Sequence, residues 1–501
     1  MSRRPTDRSA PARRDAPPGR PPATVVPAKP APAEAPPQPA PIAAAVAAAG
    51  VPQGARGGGW LPDAVLVGDR FEAGMAFFAD ATGRLTRFSR EPADLAQARR
   101  LPGVAALPGL VDAHAYSWQR FLRGRALPGT DPAGGAAGIR LLARLTPEDA
   151  YDAANVAFLE LLRGGVTCVA DCCLLRDGAP GGPPEETLAT ALAVARAAHE
   201  VGIRLALVRL ACLRSAPGEE LPPRLLVVGV DAYTRECEVL RARLEREYPA
   251  DEAWLVVGPL SLAAVPAAAC RVIGEYARAQ RLRLQAVTAA TPAAAAALRT
   301  EHGRPEVAAL AELGLVDKRF TAVGGGQLDE SELRLIGTAR GAVCALPGTA
   351  AAHGWNLPAP AAVRAAGAGL ALGSGAGVRL DLLEEARWAE RRFRLEAPPA
   401  TSPAALALQA ATTMGARSLG ATGGGLEVGR PADFFTVSLA EPSLAGADPA
   451  SLATALVQGG QLRAVRDVWV GARQRLAGGR HLRQGAILGR FIETQARLQA
   501  G

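Results

Sequence analysis

At 501 residues, 49% apolar and only 4% aromatic, the chain is long enough for a large barrel domain plus a smaller one and can bury a sizeable core. Its formal net charge of +8 is uneven: Arg3, Arg4, Arg8, Arg13, Arg14, Arg20, Lys29 and Arg56 against Asp7, Asp15 and Glu34 place +5 in residues 1–58 and leave +3 for the rest. That near-neutral remainder lacks the basic stripe of a nucleic-acid binder, and no run of about 18 apolar residues offers a membrane span.

Residues 1–58 hold 14 of the 41 prolines and almost no large apolar side chains. Such a segment cannot bury enough surface to offset its chain entropy, so it reads as a disordered Pro/Ala/Arg-rich arm. It is either a docking arm or acidic-surface tether, or a tail that follows from composition, and composition favours the tail. Arg3-Arg4 could open a twin-arginine export signal, but "PIAAAVAAAG" (41–50) lies too far in and is too weakly apolar to complete one. Seven cysteines at 168, 172, 173, 212, 237, 270 and 344 form no C-x-x-C pair or disulfide framework, which fits a cytoplasmic location.

From Trp60, "AVLVGD", "GMAFFAD" and "LTRFSR" read as short strands, the first part (59–107) of a small β domain. Residues 108–416 alternate apolar strand-like pulses with alanine- and leucine-rich helices. A strand ending at Asp112 is followed by candidates at 165–171, 204–212, 253–261, 282–289, 320–326, 341–348 and 369–375, with helices at 148–163, 185–200, 234–246, 266–279 and 304–314. Eight β/α units predict a TIM-type barrel. Short strands return at 425–439, 455–460 and 464–479, giving a second β part (417–490) before a C-terminal tail (491–501). The expected fold class is α/β: a (β/α)8 barrel plus a small discontinuous β-sandwich built from both ends of the ordered chain.

Six stretches carry a resemblance: "LPGLVDAHAYSWQRFLRG", "LLRGGVTCVAD", "GRPEVAALAELGLVDKRF", "AVGGGQLDE", "GSGAGVRLDLLEEARWAERRFRL" and "GARSLGATGGGLEVGRPADFFTV". Together they resemble the amidohydrolase superfamily, in its deaminase and chlorohydrolase branch and nearest to the formimidoylglutamate deiminases, over residues 60–481. The resemblance implies hydrolysis of a non-peptide C–N bond by a metal-activated water at the barrel mouth. It implies one divalent metal, usually zinc, held by a His-x-His pair after strand 1, later histidines and an aspartate after strand 8.

Carried over one position at a time, that ligand set is largely gone. The first histidine is His114, but the second is Tyr116, a poor ligand at neutral pH. Strand 5, "LRLQAVTAATPAA", has neither histidine nor glutamate, whether Leu284 or Gln285 faces the pocket. The histidine of the preceding strand is Leu260, those of the strand-6 motif are Gly324 and Gln327, and the strand-8 aspartate is Gly375. Of the five histidines (114, 199, 302, 353, 481), only His353 otherwise comes near the mouth. Scaffold motifs persist where metal motifs do not. The resulting expectation is a catalytically degenerate member: no catalytic residue and no metal or other cofactor, with vestigial positions at His114, Tyr116, Leu260, Gly324 and Gly375.

Other readings stay open. Asp112, His114, Asp171, Cys172 and Cys173 sit at the ends of strands 1 and 2 and could form a rebuilt metal site serving an active C–N hydrolase. Alternatively the cysteines pack beneath the loop and the aspartates bond to backbone. Trp118, Gln119, Arg120, Gln327, His353, Trp355 and Asn356, beside Tyr116, could line a retained small-molecule pocket, or Trp118 and Phe121 could pack on neighbouring helices. "AGAGLALGSGAG" (366–377) lacks phosphate-loop spacing and reads as a turn. Expected partners are a small-molecule ligand, and a second copy or an active relative in a homodimer or hetero-oligomer.

Overall fold

The computed structural model describes residues 57–124, 135–178, 182–215, 221–377, 379–396 and 403–500. Residues 1–56 of the expected arm lie outside the described residues. Apolar runs punctuated by glycine build the first strands: β1 (Gly58–Val67), β2 (Arg70–Ala73), β3 (Ala76–Ala79) and β4 (Leu85–Ser89). Gly68, Gly74 and Gly83 in the intervening turns all have positive φ, which glycine adopts without a Cβ penalty. A fifth strand, β5 (Arg99–Pro108), pairs in parallel with β1. It is absent from the expected set because Arg99, Arg100, Pro102 and Gly103 disguise its head as a loop.

Gly109 turns β5 into the barrel, where a Cβ would strike the Thr167 side chain. Eight parallel strands follow: β6 (Leu110–Ala115), β7 (Val166–Cys172), β8 (Arg204–Ala211), β9 (Ala253–Pro259), β10 (Arg283–Val287), β11 (Phe320–Val323), β12 (Ala342–Ala345) and β13 (Gly369–Leu372). They pair in sequence order, and a parallel bridge from Ala115 to Gly375 brings the last strand's edge to the first. All eight coincide with expected strands. The helices between them, such as Pro147–Arg163, which starts in a Thr146–Asp149 capping box, cover the outside.

Three later strands, β14 (Phe434–Ser438), β15 (Val465–Val470) and β16 (Arg473–Leu476), join the first segment in a mixed sheet ordered β16-β15-β14-β5-β1-β3-β4, with β2 on β1. Its core is aromatic: Phe434 stacks on Trp469 at 4.4 Å, and Trp60 meets Phe434 edge-on at 5.1 Å. The expected strand at 455–460 is instead the end of helix Leu452–Gly459, whose Leu452, Leu456 and Val457 are buried together at helical spacing. Only the second half of 425–439 is a strand, since the turn residues Gly429 and Pro431 precede it. The expected tail is part of helix Gln484–Ala500, held on the barrel by Phe491 stacked on Phe121 at 5.0 Å and by Arg490 paired to Asp152 at 2.8 Å. No helix among the described residues is long and apolar enough to cross a membrane.

One buried ion pair ties sheet to barrel. Arg204, opening β8, donates through Nε and Nη2 to both oxygens of Asp433 at 2.7 and 3.0 Å, and the Gly471 N–H donates to the same carboxylate at 2.6 Å. Both side chains are almost fully buried. Removing one partner strands the other charge away from water. Arg204→Ala is therefore expected to lower unfolding free energy by about 3–5 kcal/mol, read as a drop in the urea midpoint with intact secondary structure.

Candidate functional site

β6 delivers Leu110-Val111-Asp112-Ala113-His114-Ala115 to the C-terminal mouth with every residue buried. Its register against β7 shifts between Asp112 and Ala115. Buried polar groups need partners, and most of these have them. Asp112 accepts from the Ser374 N–H at 3.0 Å, the Ser374 hydroxyl at 2.6 Å and the His114 N–H at 3.3 Å. Asp171, near the end of β7, accepts from the N–H and the hydroxyl of Ser117, both at 2.7 Å. Burial raises Asp112 to about 6 and Asp171 to about 7, against the pull of their serine donors.

His114 is held differently. Its Nδ1 lies 2.8 Å from Gln285 Oε1, while Gln285 Nε2 donates to the Ala113 carbonyl at 3.0 Å. That second bond sets the amide orientation, so Nδ1 is the protonated nitrogen and Nε2 keeps its lone pair. Nε2 is buried and has no hydrogen-bond partner. Desolvation lowers the imidazole to about 4, outweighing the Gln285 bond, which keeps the ring neutral at physiological pH. The Tyr116 ring stands edge-on to it, centroids 4.9 Å apart. Burial, with the Cys172 thiol beside it, pushes the Tyr116 phenol well above its usual value.

A cavity of about 80 Å³ opens here, lined chiefly by His114, Tyr116, Val287, Val323, Leu346 and Trp355, with Asn356 and the Gly324–Gly326 backbone at its edge. Gly324 (φ +94°) and Gly375 (φ +54°) both have left-handed backbone. A Cβ on Gly375 would lie 2.6 Å from Thr349 Oγ1, so the space for a side chain at that position is filled.

The remaining candidates disperse. Leu260 donates its N–H to the Ala211 carbonyl at 2.8 Å and packs against the barrel's inner core. Trp118 is buried with Phe121, Leu142 and Leu145, away from the cavity. Gln119 follows in the same short helix, Ser117–Leu122, and Arg120 bonds Glu160 at 3.2 Å and the Gly377 carbonyl. Gln327 caps the wall by donating to the Ala290 carbonyl at 3.2 Å, and His353 stands edge-on to Trp355 at 4.6 Å. Cys172 and Cys173 are buried, with thiols pushed up by desolvation. Among the described residues no three His, Cys, Asp or Glu side chains converge as a metal-binding group.

The structure adds residues that the sequence reading did not single out. Gln285 is the principal one, and the period-2 pattern could have placed it: Leu284 and Ala286 face the helices, leaving Gln285 and Val287 inside. Ser374 and Ser117 carried no such signal, because their partners come from distant strands. Glu306 is a third. Its carboxylate accepts from the Ala289 N–H at 2.8 Å, bracing the wall after β10, and burial raises it from 4.5 to about 7.

A carboxyl raised on folding contributes stability that is fully present below its unfolded value and lost as pH rises through about 7. Glu306→Gln keeps the acceptor and removes the charge. The variant is expected to flatten the decline in thermal stability between about pH 4.5 and 7, an effect of up to about 3 kcal/mol, measured by melting curves across that range.

Comparison with known proteins places this geometry. The model of the amidohydrolase family matches residues 105–478, well over half of the chain. Formimidoylglutamate deiminase of Pseudomonas aeruginosa is 28% identical over 455 residues, covering 86% of this chain and 98% of that protein. The 8-oxoguanine deaminase of the same organism is 29% identical over 69% of this chain and 77% of its own length. Among solved structures, an adenosine deaminase from Xanthomonas campestris with bound zinc superposes with a TM-score of 0.76 at 22% identity, covering 88% of this chain and 98% of its own. The atrazine chlorohydrolase of Arthrobacter aurescens, complexed with zinc, gives 0.77 at 20% identity, covering 87% and 99%. These zinc-bearing neighbours correct the expectation of no cofactor, which they do not support. Among the described residues the donors do not make up a full zinc site: His114 Nε2 is one nitrogen where a catalytic zinc uses about three protein ligands. By the extent of the family match, the chain belongs to the amidohydrolase family.

Proposed function

We propose that this chain is a catalytically degenerate amidohydrolase-family protein that works by binding at its barrel mouth, on its own or as a subunit beside an active relative. The observation that carries the reading is the state of the mouth. Where the family resemblance calls for ligands, the chain has Tyr116, Leu260, Gly324, Gln327 and Gly375. The surroundings have closed over those changes. Gln285 occupies His114 Nδ1, Thr349 fills the space beside Gly375, and Asp112 and Asp171 are committed to serines. Hydrolysis of a C–N bond needs an activated water and a group to move its proton. A neutral imidazole with one open nitrogen, and carboxyls already bonded, supply neither in combination.

The test is turnover. Purified full-length protein, with and without added zinc, is expected to give no hydrolysis of formimino or guanidino compounds above background. Hydrolysis that disappears in His114→Ala would overturn the reading. A second prediction concerns Gly375→Asp, which restores the carboxylate of the family pattern. Left-handed backbone and the Thr349 contact should make it cost about 1–3 kcal/mol of stability, seen as a lowered melting temperature, with no gain in hydrolysis.

A further inference from the structure

Among the described residues that line the mouth cavity, one buried side-chain atom lacks a hydrogen-bond partner, while the Asn356 amide at the rim is exposed. His114 lines it, and because the Nδ1 edge is turned to Gln285, the Nε2 edge is what the ring offers. That nitrogen is fully buried, fixed as an acceptor and without a partner. The hydroxyls nearby are already used. Thr288 Oγ1 donates to the Val323 carbonyl at 3.0 Å and accepts from the Gly325 N–H at 3.0 Å, and Thr349 donates to the Ser374 carbonyl at 3.2 Å. Among the described residues no lysine, arginine, aspartate or glutamate lines the cavity. A charged guest would therefore be buried without a counter-ion, which is prohibitive, whereas an unpaired acceptor favours a guest that brings one donor.

We propose that this cavity binds a compact, uncharged, planar ring carrying one N–H or O–H donor, seated among Tyr116, Val287, Leu346 and Trp355 with its donor on His114 Nε2. The inference rests on the degenerate-site reading above and names its ligand class. The cavity's volume of about 80 Å³, against about 150 Å³ for a closed apolar cavity that holds benzene, makes a five-membered ring the matching probe. The same chemistry disfavours zwitterionic amino-acid derivatives in the chamber, since no cationic side chain among the described residues lines it to pair with their carboxylates.

The test titrates the full chain, labelled with ¹⁵N-histidine, with two rings of equal size. Pyrazole has an N–H donor, and furan has none. Pyrazole is expected to move the Nε2 signal of His114 saturably, with affinity on the order of millimolar for five heavy atoms. Furan should bind at least about tenfold more weakly. In His114→Phe the preference for pyrazole should vanish, and the wild-type titration stands by itself where that variant fails to fold. Equal binding of the two rings, no saturable binding, or a pyrazole shift at another histidine would overturn the proposal. So would zinc uptake near one equivalent that excludes pyrazole. Failure here with hydrolysis still absent removes only the ligand class, whereas His114-dependent hydrolysis removes the degenerate reading itself.

Discussion

Closing the barrel is the constraint on which the mouth depends. A parallel sheet of eight strands has two open edges until β13 returns to β6, and here the seam is made by very few residues. Ala115 bridges Gly375, the Gly375 N–H donates to the His114 carbonyl at 2.8 Å, and Asp112 takes both the N–H and the hydroxyl of Ser374. Gly373 must lack a side chain, since a Cβ there would come within 2.7 Å of the same His114 carbonyl. The positions that the family resemblance assigns to metal ligation are thus interleaved with positions that hold the barrel shut. Asp112, which carries a ligand-type side chain, is spent on the seam.

On the degenerate-site reading proposed above, this interleaving lets chemistry leave the site while architecture stays. The seam uses backbone groups, glycines and one Asp–Ser pair, and it makes no demand on the side chains of residues 116, 260, 324 or 375 beyond their fit. The side chains and backbone around these positions are held by a set of local hydrogen bonds. Gln285 satisfies both the imidazole and a strand carbonyl, and Thr288 ties the Gly325 amide to the Val323 carbonyl. Each bond satisfies a buried polar atom that would otherwise be costly. Among the described residues that line the cavity, His114 Nε2 is the buried side-chain atom left without a partner.

Away from the mouth, the two sheets are coupled by charge as well as by packing. Arg204 and Asp433 bridge them at the opposite end of β8, and a second buried set, Arg176, Arg209 and Glu236, secures the strand ends near Cys173 and Leu175. Arg209 is almost fully buried, and its guanidinium holds two loop carbonyls as well as Glu236. Neither network was visible along the chain, because each joins residues 27 to 229 positions apart.

Read along the chain, periodicity and glycine punctuation were enough to locate the eight barrel strands and the helices over them, and spaced motifs were enough to name the family. Both signals are local or carried by residue identity, so they survive without coordinates. The missing histidines were equally plain, as composition is. The segment at 455–460 was misread as a strand, and strand β5 and the C-terminal helix were not picked out, for their patterns are short or mixed and are decided by what they pack against. The tertiary structure alone decided that Gln285 faces His114, that Asp112 and Asp171 are tied to Ser374 and Ser117, and that Trp118 turns into a helix interface while Trp355 faces the cavity. Those outcomes depend on which strands meet across a closed barrel and on which buried atoms find partners. No stretch of sequence states that, because each partner lies on another element.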